Sequence, residues 1–368
     1  IFNFVKINIL IALALSIIVP KVYAKPIPPG SGEGDVPANI LFLLDSSLSM
    51  DRPITGATSI GLAGVDWAVE LSDGNMIVGE SKKGVVKILT ADNKLDTTFA
   101  KNKKLFNGYS NDNDCSNAGG LIRNSFVTKT VSGDISSNGT IWFGSPNGGK
   151  LVAIDSSGVC VAVIPQSKHG IAYPKFIEIR NIGGDDILFA MGRTHNGKKP
   201  GVQEGKIFAM NIGTGSTINF SKSVQCYVKK DQIGHTTKKD ASISMTVSKD
   251  GTYFHFSRKN HLYTFETKDH GNNLRCPINS PGGPKPNKKE LANLYADNFK
   301  MCNLVNGLCN TNSNSGLNSI YSIRASSDDD NIVYVTSHTS HTLQKIELDI
   351  SAGNYNVLLT AGKLGRKN

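Results

Sequence analysis

The sequence predicts an all-β fold, a β-propeller of about five or more blades. Three observations predict it. Glycine is abundant, at 37 of 368 residues, while apolar residues at helical spacing are scarce. Short apolar runs are separated by Asp-Gly, Asn-Gly and Gly-Gly turns, which are hairpin signals because these residues accept positive φ cheaply. One strand–turn–strand phrase returns along the chain about every 45 to 80 residues, with the irregularity confined to loops.

The elements follow in order. Lys6 precedes an apolar stretch, Ile7 to Val19, and Val22-Tyr23-Ala24 has small residues at the right spacing for cleavage. This is the layout of a secretory signal peptide over residues 1–24, cut after Ala24. An uncleaved N-terminal anchor is the alternative, although the apolar core is short for a bilayer span. Residues 25–37, "KPIPPGSGEGDVP", form a Pro/Gly/Ser linker. Residues 38–52 hold a continuously apolar strand, Asn39 to Leu44, and the loop after it. Such a run suits a strand buried on both faces.

Residues 53–368 carry the repeats. "VDWAVELSDGNMIVGESKKGVVKILTADN" holds three short strands, with turns at Ser72-Asp73-Gly74 and Ser81 to Gly84. "SGDISSNGTIWFGSPNGGKLVAIDSSGVCVAVI" repeats the phrase with a first turn at Ser137-Asn138-Gly139. Further copies begin at "KFIEIRNIGGDD", "ASISMTVSKDG" and "IYSIRASSDDDN". Each copy reads as an antiparallel meander of three or four strands. One such sheet cannot bury both of its faces, and radial stacking of the copies does so. A β-sandwich is the competing architecture. Five copies lie at the low end for ring closure. The chain starts at Ile1 rather than methionine, so the reading includes a propeller truncated at its C-terminus, with further blades beyond Asn368.

Six cysteines (Cys115, Cys160, Cys226, Cys276, Cys302 and Cys309) in an exported chain suggest disulfides. Cys302 and Cys309 bracket a short loop and are the best-placed pair; free buried thiols are the alternative. No zinc-type spacing occurs. The net charge is +10, but the lysines are dispersed over turns without a nucleic-acid motif, so they read as solubilising residues.

The stretch "ANILFLLDSSLSMDRP", Ala38 to Pro53, resembles the start of a von Willebrand factor A domain, where a central strand ends in D-x-S-x-S. The resemblance implies a metal-ion-dependent adhesion site with Asp45, Ser47 and Ser49 as ligands to Mg²⁺ or Ca²⁺. A carboxylate and two hydroxyls suit such a hard cation. Leu48 stands where the family usually has glycine, and the family's later Thr and Asp ligands have no counterpart here. The site is therefore incomplete in this chain. The alternative is a polar turn capped by Asp45. The repeats resemble NHL-type and gluconolactonase-like propellers, most closely in the first copy. The combination of the two resembles type IV pilus tip-associated adhesins.

Other candidates are weaker. His338 and His341 sit at a hairpin turn without a third ligand. "NDNDCSN", Asn111 to Asn117, and "SSDDDN", Ser326 to Asn331, gather carboxylates without a complete calcium-loop pattern. No G-x-S-x-G, H-E-x-x-H or phosphate-binding loop appears.

The leading expectation is an exported adhesion or binding protein, periplasmic, outer-surface or extracellular. Its partners would be a protein or glycan at a surface, pilus components among them, with no specific nucleic acid and no transmembrane span after signal removal. The alternative is a secreted lactonase-like hydrolase with a metal in the central channel, to which Glu80 and Asp66 are candidate contributors. A purely structural extracellular module is the third.

Overall fold

A computed structural model describes residues 65–80, 84–91, 94–99, 132–145, 149–171, 173–193, 205–214, 219–228, 243–258, 261–277, 299–303, 309–312, 320–337 and 342–362. They form five antiparallel meanders, the blades of a β-propeller. Blade 1 is β1 (Val65–Glu70), β2 (Met76–Glu80), β3 (Gly84–Leu89) and β4 (Lys94–Leu95). Blade 2 is β5 (Gly133–Ile135), β6 (Ile141–Ser145), β7 (Lys150–Ile154) and β8 (Cys160–Ile164). Blade 3 is β9 (Tyr173–Ile182), β10 (Asp185–Arg193), β11 (Gly205–Gly213) and β12 (Ser223–Val228).

Blade 4 is β13 (Ile243–Val247), β14 (Tyr253–Arg258), β15 (His261–Asp269) and β16 (Arg275–Pro277), extended by β17 (Phe299–Asn303) and β18 (Cys309–Asn312). Blade 5 is β19 (Ile320–Ala325), β20 (Ile332–Ser337), β21 (Thr342–Asp349) and β22 (Asn354–Ala361). The expected signal peptide and linker, the Asp45 loop, His338, His341 and the Asn111–Asn117 stretch lie outside the described residues.

The first turn of each blade explains why the phrase repeats. In blade 2, Ser136 N–H donates to Thr140 O (2.9 Å) and Gly139 N–H to Ser136 O (2.9 Å). Asn138 Oδ1 accepts the Thr140 N–H at 3.1 Å. Gly139 has φ +84°, a value that disfavours any side chain. Blades 1 and 4 close the same way through Asp73, which accepts Asn75 N–H, and Asp250, which accepts Thr252 N–H. Short polar side chains replace the missing ladder partners of the turn backbone.

Three seams between blades are apolar from both sides, which is why their strands read as unbroken apolar runs. Trp67, Val69, Ile77 and Val85 of blade 1 meet Ile141, Phe143, Val152 and Ile154 of blade 2. Trp142, Leu151 and Ile164 face Ile177, Leu188, Ala190 and Phe208 of blade 3. Ile187, Phe189 and Met191 then face Met245, Val247, Phe254 and Phe256 of blade 4.

Trp67 fixes the first seam. It stacks on Phe143 with ring centroids 6.0 Å apart, and Gly79 and Gly133 make room for its indole. A Cβ at Gly79 would fall 1.9 Å from Trp67 Nε1. Gly79→Ala is expected to destabilise the protein by about 3 kcal/mol through overpacking. Denaturant unfolding followed by tryptophan fluorescence checks this, and an unchanged midpoint would contradict it.

Blade 4 departs from the simple meander. β17 pairs β15 in parallel, His261 opposite Lys300 to Thr264 opposite Asn303, while β16 pairs the far end of β15. A parallel neighbour needs a crossover of about a dozen residues or more, and residues 278–298 supply the length. The β17–β18 register sets Cys302 directly opposite Cys309, the pair expected from the sequence. Cys226 of β12 and Cys276 of β16 form a disulfide that joins the outer strands of blades 3 and 4. Cys160 is disulfide-bonded as well.

Candidate functional site

The innermost strands β1, β5, β9, β13 and β19 each pair on one side only. Their other edge needs partners for its backbone groups, because a buried unpaired N–H is costly. Side chains of the preceding blade supply them. Ser132 Oγ accepts the Ile177 N–H at 2.9 Å and Asp134 Oδ2 the Ile179 N–H at 2.7 Å. Glu178 Oε2 accepts the Val247 N–H at 3.2 Å, and its Oε1 accepts the Thr246 hydroxyl at 2.9 Å. Ser244 Oγ accepts the Ile323 N–H at 3.1 Å and Thr246 Oγ1 the Ala325 N–H at 2.7 Å. Asp134, Glu178 and Thr246 thus pass the bonding on from one inner strand to the next, with Ser132 and Ser244 beside the first and the last.

In blade 5 the corresponding residue is Arg324, which can only donate. It turns back across the axis instead. Arg324 Nη2 donates to Asp134 Oδ2 of blade 2 at 2.5 Å, and its Nε lies 3.8 Å from Glu178 Oε1 of blade 3. This reach from the fifth blade to the second shows how tightly the array curls. Arg180 completes the cluster. It pairs with Glu178 at 2.5 Å and donates to Val247 O at 3.0 Å and Ala325 O at 2.7 Å.

Two carboxylates and two guanidinium groups leave the cluster formally neutral. The Glu178 side chain is 1% exposed and that of Arg180 7%, whereas that of Arg324 is 44% exposed. Burial works against the charge of Arg324, but Asp134 and then Glu178 outweigh it and hold the guanidinium pKa above its ordinary value. The carboxylate oxygens are committed to backbone N–H groups, a hydroxyl and guanidinium donors. This arrangement clasps blades together.

A second polar lock lies at the turn ends of blades 4 and 5. Asp330 Oδ1 accepts the Asp250 N–H at 2.8 Å, and Lys249 Nζ donates to Asp328 O at 3.0 Å. Burial pushes the Asp250 carboxyl up, but donors from Thr252 and Ser248 prevail and hold it below the usual range. Burial, followed by the charge of Asp250, pushes the Asp330 carboxyl up. Ser326 to Asn331, read from sequence as a candidate calcium stretch, therefore acts as a turn. Asp329 Oδ1 accepts the Asn331 N–H and Ser326 Oγ the Asp328 N–H.

Asp66 sits in β1 and Glu80 in β2, while the side chains that converge on the axis are Asp134, Glu178, Arg180 and Arg324. Sequence reasoning missed these four. The available signal was a charged residue inside an otherwise apolar inner strand, as in "FIEIR" and "YSIRA". Among the described residues, no group of three or more His, Cys, Asp or Glu side chains is placed to hold a metal ion. Asp45, Ser47 and Ser49 lie outside those residues.

No protein-family profile and no curated protein sequence matches the chain. Solved structures do. A hydrazine synthase of Kuenenia stuttgartiensis is 11% identical at a TM-score of 0.43, over 79% of this chain and 66% of that one. A β-propeller domain of Myceliophteria thermophila is 8% identical at 0.43, over 82% and 72%. A virginiamycin B lyase of Staphylococcus aureus is 12% identical at 0.43, over 80% and 83%. The class of protein is thus defined by its own five sheets, a β-propeller.

Proposed function

We propose that this protein is an exported adhesion or binding protein of the periplasm or cell surface, pilus-tip-like in organisation, which recognises a protein or glycan through propeller loops. The observation that carries the reading is the axial cluster. Its polar atoms are committed to joining blades, which leaves recognition to the loops of a rigid scaffold. A disulfide between blades 3 and 4 is consistent with a non-cytoplasmic protein. Among the described residues, no helix is long and apolar enough to cross a membrane. The Asp45, Ser47 and Ser49 loop would add a Mg²⁺- or Ca²⁺-dependent contact once its remaining ligands are supplied.

The lactonase-like alternative needs metal ligands converging in the channel, where the described side chains place an arginine-capped, neutral cluster. The test is retention of the full chain on immobilised glycans and extracellular proteins, with Mg²⁺ or with EDTA. Saturable retention is expected, with its metal-dependent share lost in Asp45→Ala. Retention on no surface would overturn the adhesion reading. Retention indifferent to both EDTA and Asp45→Ala would remove the metal loop from it.

A further inference from the structure

The fourth seam is unlike the other three. Toward blade 5, blade 4 presents Ser244, Thr246, His255, Ser257 and Thr264, all at most 2% exposed. Blade 5 answers with Ile320, Ile323, Val333, Val335 and Ile346, and Leu262 is blade 4's one contribution to that cluster. A polar face thus lies against an apolar one. The seam is held by directed bonds, Ser244 to Ile323, Thr246 to Ala325, Asp250 to Asp330 and Lys249 to Asp328, and Arg180 of blade 3 also reaches Ala325. The disulfide staple joins blade 4 to blade 3, on its other side.

Two seam groups are left over. His255 Nε2 and Ser257 Oγ are buried without a hydrogen-bond partner among the described residues. They stand two residues apart on one face of β14. His255 Nδ1 meets Thr264 Oγ1 at 3.0 Å, and a second proton on the ring would make both nitrogens donors, with Nε2 facing no acceptor among the described residues.

The charges around His255 do not favour that proton. β13 offers Thr246 and β15 offers Thr264, both neutral. β9 brings Arg180, whose charge opposes it, and Glu178, already committed to Arg180 and Thr246. β19 brings Arg324, committed to Asp134. Tyr253 lies beside it on its own strand at 6.3 Å, and His261 stacks on Tyr263, whose ring belongs to the seam with blade 3. Burial first, and Arg180 second, push His255 down to about 3.

We propose that the joint between blades 4 and 5 is an acid-operated hinge, in which a proton taken up at His255 opens the seam and releases blade 5 while the other blades stay together. The sign follows from the two states. The closed seam holds His255 neutral, whereas the open seam lets it take a proton near its ordinary pKa of about 6.5. The closed form is therefore favoured fully above about pH 6.5, and the advantage is lost as pH falls toward 3.

Hydrogen exchange of the full chain, corrected for intrinsic rates, tests this. Between pH 6.5 and 5.0, protection at Ile323, Ala325 and β20 is expected to fall about tenfold or more, with far smaller changes in β10 and β11. His255→Gln is expected to flatten the blade 5 profile. His169→Gln is expected to leave it in place, since that second buried histidine sits at the seam of blades 2 and 3 against Phe208. If the His255 variant fails to fold, the wild-type profile still decides. Blade 5 protection that is flat from pH 6.5 to 5.0, or that falls only in step with β10 and β11, would overturn the hinge. So would an acid loss that survives His255→Gln.

Discussion

Replacing Glu178 with alanine is expected to cost about 3–5 kcal/mol of folding stability, the range seen when one partner of a buried ion pair is removed. The substitution would strand the Arg180 guanidinium, which is 7% exposed, and leave the Val247 N–H without its acceptor. It would also free the Thr246 hydroxyl that passes the bonding on to blade 5. Blades 3, 4 and 5 are therefore all touched by one change. Glu178→Gln keeps an acceptor oxygen but loses the charge, so an intermediate cost is expected. Urea unfolding of the two variants and the parent gives the comparison. A loss below about 1 kcal/mol for Glu178→Ala, the size of an exposed pair, would mean that the cluster does not hold the blades.

Removing the Cys226–Cys276 disulfide is expected to cost about 4 kcal/mol on the chain-entropy relation, given its sequence separation of 50. The bond spans the outer strands of blades 3 and 4 at the rim, far from the axial cluster in the sheet order. The two devices act on different parts of the same seam, one covalent and peripheral, the other ionic and central. Cys226→Ser with Cys276→Ser is the clean variant, because a single substitution leaves a thiol free to exchange. Thermal or urea unfolding of the double variant under non-reducing conditions measures the loss. Equal stability of variant and parent would show that the link adds nothing to the fold.

The blades were legible in the sequence because their signals are local. Ser137-Asn138-Gly139 and Ser248 to Gly251 close turns with their own backbone and side chains, so a short window holds all the information. The parallel β17 was not legible, since its partner β15 is reached across a long connection and β16 intervenes in the chain. The axial cluster was hidden for the same reason. Asp134 serves the N–H of Ile179, 45 positions away, and the guanidinium of Arg324, 190 positions away. A lone aspartate in "SGDIS" says nothing of either. The facing of Cys302 and Cys309 across β17 and β18 could be read from spacing, whereas Cys226 and Cys276 meet only once two blades are packed.

Amide exchange at Ile179 and Val247, followed by NMR near neutral pH, tests most directly whether side chains of one blade seal the inner edge of the next. These N–H groups have no strand partner on the axial side, yet they donate to Asp134 and Glu178. Protection comparable to that of the ladder amides of β10 is predicted. Exchange as fast as that of an exposed turn would contradict it.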